Sequence, residues 1–153
     1  MPFLDSSFPV KAFLTDKASD IYARSGTIPI AFKIKGFSVG CGGYVDSNPV
    51  QTQDIDRSAQ TLQHQVHPPT GYVPFQSIEE MGKVRVFNCR LPATPGQTTA
   101  DHGLGEIGIW AEVLYSEDSN YNAGDVFLYA IGHMPLRAKT HKDVFLFRVV
   151  VNY

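Results

Sequence analysis

The chain has 153 residues, 43% of them hydrophobic, and a formal net charge of −2. That size suits one globular domain over residues 1–153, able to bury about 70% of its unfolded surface without a disulfide or a metal. The small charge gives no reason to expect nucleic acid as a partner, and no run of 18 or more apolar residues is present to span a membrane.

The opening stretch, MPFLDSSFPVKAFLTDK, lacks the cationic start and unbroken apolar core of a signal peptide. The expectation is a protein made in cytoplasm. A helix is expected next, over DKASDIYARS. Thr15 is a good N-cap, Asp16 and Arg24 suit the two ends of the helix dipole, and Gly26 suits a left-handed turn after the last residue. Ala18, Ile21 and Tyr22 fall on one stripe.

The period then changes to two. In IPIAFKIK, Ile28, Ile30, Phe32 and Ile34 point one way and Pro29, Ala31, Lys33 and Lys35 the other, which is a half-buried strand with Pro29 at its start or on an edge. A second short strand, GFSVG, runs into GCGG. A phosphate-binding loop would need a following Lys-Ser/Thr and a helix, and neither is there. Gly40, Gly42 and Gly43 read instead as a tight turn needing positive φ.

Residues 44–82 are rich in Gln, Asp, Ser, Thr and Pro, with no clean period. QTQDIDRSAQTLQHQVH could form a short helix; otherwise the segment is an extended loop or a partner-binding excursion. Strands return with VRVFNCRL. A turn-rich stretch, PATPGQTTADHGLG, precedes EIGIWAEVLY, where Ile107, Ile109 and Val113 share one face and Trp110, Glu112 and Leu114 the other. DVFLYAI and DVFLFRVVV follow. In the last, Phe145, Phe147, Val149 and Val151 share a face, and Val144, Leu146 and Val150 are interrupted only by Arg148. Two apolar faces imply a central strand, or one side covered by a subunit. The fold class expected is mainly β: an antiparallel β-sandwich-like domain of about six strands with one N-terminal helix.

Candidate chemistry is sparse. His64 and His67, with Asp54 and Asp56 upstream, lack a third ligand at recognisable spacing. His102 and Asp101 could join a serine on paper, but no nucleophile elbow supports them. Glu117 and Asp118 are neighbours in a polar turn and read as solvated. Cys41 and Cys89 form no CxxC pair and are expected to stay reduced, with Cys89 buried. No enzyme, cofactor or metal is expected. Trp110 either belongs to a second apolar layer or anchors a partner. In GHMPLRAKTHKDV, Pro135 is expected to break the preceding strand. Arg137, Lys139, His141 and Lys142, offset by Asp143, then read as a solvated connection whose charges guard an aggregation-prone strand. The other reading is an anion contact.

Taken in order, three strings resemble the phage tail-collar fibre family, the N-terminal modules of fibres on contractile-tailed phages. LTDKASDIYARSGTIPIAFKIKGFSVGCGG is similar to its opening helix, strand and glycine turn, through Leu14, Thr15, Asp16 and residues 37–43. GEIGIWAEV is similar to its middle strand, through Gly105, Glu106, Ile107, Gly108, Ile109 and Trp110. FLYAIGHMPLRAKTHKDVFLFRVVV resembles its closing strands, through Leu128, Ala130, Pro135, Lys139, Phe147, Val149 and Val151. Residues 44–82 match no part of the pattern, and the family's long repetitive shaft is missing, so a free-standing attachment module is expected.

The resemblance implies a virion structural role in a tail or baseplate, assembled in host cytoplasm. It implies a trimer of identical copies touching other tail, baseplate or fibre proteins. Trp110, His133, Pro135, Leu136, Arg137 and Lys139 become contact candidates, and Gly26, Gly40, Gly42 and Gly43 structural turns. The alternative is a carbohydrate-binding β-sandwich module for a host receptor, in which Trp110, Tyr115 and Tyr121 stack on sugars.

Overall fold

At Thr15 the first strand hands over to the helix. The Thr15 Oγ1 accepts the Ala18 N–H at 3.2 Å and donates to the Leu128 carbonyl at 2.6 Å, so the N-cap also fastens the helix to the sheet. The helix α1 (Asp16–Arg24) buries Ala18 and Ile21 and carries Asp16 and Arg24 at the expected ends. Tyr22 shares a 2.8 Å hydrogen bond with the Tyr129 hydroxyl and meets Phe32 edge-on at 5.3 Å. Gly26 does not adopt the left-handed conformation expected of it. Ser25 caps the helix at φ −64°, and the Thr27 and Ile28 amides both return to the Arg24 carbonyl, so no αL residue is required.

The structure, a computed structural model, describes residues 7–45, 47–93, 102–139 and 144–152. Among them are ten strands: β1 (Ser7–Leu14), β2 (Ile30–Gly40), β3 (Tyr44–Val45), β4 (Asn48–Thr52), β5 (Gln65–His67), β6 (Ser77–Met81), β7 (Val84–Leu91), β8 (His102–Ser116), β9 (Val126–Lys139) and β10 (Phe145–Asn152). Eight of them form one sheet, ordered β5-β2-β8-β9-β1-β10-β7-β6, while β3 and β4 pair as a separate hairpin. Mainly β with one N-terminal helix is therefore right. The strand count is higher than expected, and the sheet is mixed, because β1 runs parallel to β10.

The sheet curls, and residues 68–76 close it. Val73 exchanges two backbone hydrogen bonds with Phe37 of β2, at 2.8 and 2.9 Å, and the Gln76 amide reaches the Asn88 carbonyl of β7. Between them the Phe75 ring lies 6.0 Å from Phe37 and 4.9 Å from Phe87. The enclosed core joins Phe37, Val39, Ile107 and Ile109 from one half to Phe87, Cys89, Phe147 and Val149 from the other. That is a sandwich-like arrangement made by one sheet.

Three sequence expectations change. IPIAFKIK and GFSVG are one strand, β2, bent by a register shift between Ile34 and Gly36. QTQDIDRSAQTLQHQVH forms no helix; it leaves β4 through turns and enters β5. Residues 132–139 are not a turn but the second half of β9. Register places Arg137 opposite Leu104 and His133 opposite Glu106, so Met134, Pro135 and Leu136 bulge against Gly105 alone. A proline costs the ladder little where the ladder is already interrupted. The central position expected for DVFLFRVVV holds: β10 lies between β1 and β7.

Candidate interaction surface

Glu106 organises the surface. It is a β8 residue with no solvent exposure, and its carboxylate accepts three backbone amides. Its Oε1 takes Gln63 N–H at 2.8 Å, and its Oε2 takes His64 N–H at 2.8 Å and Gly42 N–H at 3.0 Å. A carboxylate buried this way is stable because its lone pairs are met. The glycine turn is built around it. A β-carbon on Gly40 or Gly42 would stand 2.5 or 2.7 Å from Glu106 Oε2, so these two are glycine for space, and only Gly43 (φ +83°) needs the left-handed region.

Held by Glu106, the excursion after β4 lies back over the outward face of the sheet. Leu62 packs with Leu128 and Ile131, and Ile55, Ala59 and Trp110 close around them. The Arg57 guanidinium sits 5.2 Å from the centre of the Phe13 ring, and the Arg57 carbonyl accepts the Asp16 amide. Residues 53–64 are thus a cover for the chain's own sheet.

Trp110 stands where that cover ends. Its Nε1–H donates to Ser38 Oγ at 2.8 Å, Ser38 donates to Gln65 Oε1 at 3.0 Å, and Gln65 Nε2 donates to the carbonyls of Pro68 and Gly71. The reading of Trp110 as part of a second apolar layer holds on one side. The other side opens into a cleft of about 410 Å³ shared with Tyr72, Thr61, Thr70 and Val126.

The other contact candidates do not join Trp110. Lys139 pairs with His102 at the far end of β8, eight residues from Trp110 and so about 26 Å away. Pro135 and Arg137 are exposed, and Leu136 is half-buried against Gly103. His133 Nδ1 lies 2.8 Å from the Gln53 carbonyl, to which it donates, while its Nε2 is enclosed with no partner among the described residues. Lys139 is 1% exposed and offers no contact surface. Asp101, His141, Lys142 and Asp143 lie outside the described residues.

Two turn expectations need correction. Glu117 is exposed and accepts the Tyr115 hydroxyl, but Asp118 is buried. The Asn120 backbone amide at 2.9 Å, and then the Arg24 guanidinium at 3.1 Å, hold its carboxyl below the usual carboxylate range. Arg24 also pairs with Asp20 at 2.8 Å. Asp20 is held low too, chiefly by the Tyr121 hydroxyl, which donates to it. Burial, and then Asp20, push Tyr121 up to about 12. At 6% exposure Tyr121 is locked beside α1 and cannot stack on a sugar. Cys41 and Cys89 are free thiols, and Cys89 is buried as expected.

Sequence reasoning missed Glu106, Ser38 and Tyr72. The usable signal was GLGEIG, a lone carboxylate between glycines in an apolar strand. Against known families, curated proteins and solved structures, the chain matches none.

Proposed function

We propose that the chain is a virion structural protein of a phage tail or baseplate, anchoring fibres or capping tail components as a trimer of identical copies in contact with other tail proteins. The ordered likeness of its strands to the tail-collar pattern supports this reading. The observation that carries it is an uncovered apolar tip. At the end of β8, opposite the start of β2, a register shift leaves Leu114 and Tyr115 51% and 52% exposed, with Ile28 also exposed. Scattered apolar side chains are normal on a surface, whereas adjacent large ones mark contact sites. Exposed Pro135 and Arg137 supply a second contact point on β9.

Sedimentation equilibrium tests it. Wild type associates with rising concentration and co-sediments with purified tail particles. The Leu114→Asp/Tyr115→Asp double variant stays monomeric with an unchanged far-UV spectrum. A wild-type chain that is monomeric throughout and ignores tails contradicts the proposal.

A further inference from the structure

We infer that the cleft between Trp110 and Tyr72 binds a neutral saccharide. The cleft is built by a missing side chain. Gly36 of β2 pairs with Trp110 across the sheet, and a β-carbon on Gly36 would stand 2.6 Å from Tyr72 Cδ1 and 2.3 Å from the Val73 carbonyl. Tyr72 lies over this glycine, in the space a side chain would fill, which brings its ring toward Trp110, the cross-strand partner of Gly36.

The lining has the chemistry of a sugar site. None of its side chains carries a charge, which favours an uncharged ligand over an anionic or cationic one. Its polar edges are already engaged within the protein: Trp110 Nε1 with Ser38, and the Gln65 amide with Ser38, Pro68 and Gly71. These bonds fix the indole and the 68–71 wall before any ligand arrives, which lowers the entropic cost of binding. What remains for a ligand is aromatic ring surface, the apolar Val126, and the hydroxyls of Thr61 and Thr70. A sugar ring offers the complement, an apolar C–H face and a rim of hydroxyls. The volume of about 410 Å³ lies in the range of small-ligand clefts. Tyr72 therefore replaces Tyr115 and Tyr121 as the aromatic partner of Trp110.

This site is independent of the assembly reading, because a tail part need not bind sugar and a sugar-binding module need not sit in a virion. Trp110 is the chain's one tryptophan, so its fluorescence reports on the cleft alone. The full chain is titrated with maltotriose, cellotriose, mannotriose, chitotriose and lactose, and with sialyllactose as the anionic comparison. A saturable fluorescence change is expected with at least one neutral sugar. Tyr72→Ala weakens it about tenfold, the loss of one ring stack. Leu114→Asp, outside the cleft, leaves it unchanged. Trp110→Phe, read by calorimetry, retains part of the affinity. No saturable change with any neutral sugar up to about 50 mM, beyond the millimolar end of specific affinities, overturns the inference. So does an equal response from a folded Tyr72→Ala variant, or a response to sialyllactose alone.

Discussion

Over β8 and β9 the outward face carries Trp110, Leu128 and Ile131, and the chain's own Ile55, Ala59 and Leu62 lie on it. Over β7 and β10 the outward face is mixed: Val86, Leu146 and Val150 share it with Asn88 and Arg148, and Val86 is buried. There Asn88 donates to Ser77 and Glu79, and Arg148 stands 3.9 Å from Glu79. One sheet thus solves the two-faced strand problem in two ways. The mixed half sets polar side chains that tolerate water among its valines and Leu146. The apolar half needs a cover, and the cover needs an anchor, because a segment rich in Gln, Asp, Ser and Thr has little hydrophobic drive of its own. Glu106 is that anchor. Where the cover stops, apolar surface is left at Trp110 and at the Leu114–Tyr115 tip, and the proposed contacts fall there.

The contrast is broken most strongly at Glu106. Glu106→Ala leaves three backbone amides, two in the cover and one in the glycine turn, without their acceptor, at about 1–3 kcal/mol for each one that stays buried. A loss of about 3 kcal/mol or more is expected in urea unfolding. Early proteolytic cleavage within residues 53–64 should accompany it. Glu106→Gln should fare little better, because an amide presents one acceptor oxygen where two are used.

Acid acts next, at the helix. Asp20 and Asp118 are held below the carboxylate range when folded, so the stability they contribute is complete above the unfolded value of about 4 and is lost as pH falls below it. Thermal unfolding followed from pH 6 to pH 2 should show the transition fall below about pH 4. Asp118→Asn should flatten that fall, since the amide has no charge to lose. At the small end, Arg148→Ala on the mixed face should change stability by no more than about 0.5 kcal/mol, because the pair with Glu79 is long and about half exposed on both sides. A large effect there would erase the distinction between the two faces.

What the sequence made legible follows the range of the forces involved. The helix could be read almost to the residue because Thr15, Asp16 and Arg24 act within one or two turns. The VRVFNCRL and DVFLFRVVV strands could be read because their apolar period is strong. Strand β1, SFPVKAFL, was missed: Pro9 interrupts it, and it exists as a strand because β9 and β10 flank it. Pro135 misled because a bulge opposite Gly105 absorbs it, and that pairing is set thirty residues away along the chain. The excursion was opaque for the same reason, since its path is dictated by Glu106, about forty residues further on. In the candidate site Trp110 was legible by type and position. Its partner Tyr72 was not, because only the close approach across Gly36 brings the two together.

Hydroxyl-radical footprinting over a concentration series tests the division of the outward face most directly. The account predicts that Leu62 stays unreactive at every concentration, covered from within, while Leu114 and Tyr115 react in dilute solution and become protected as copies associate. Leu114 and Tyr115 labelled equally at all concentrations, or Leu62 labelled as readily as they are, would contradict it.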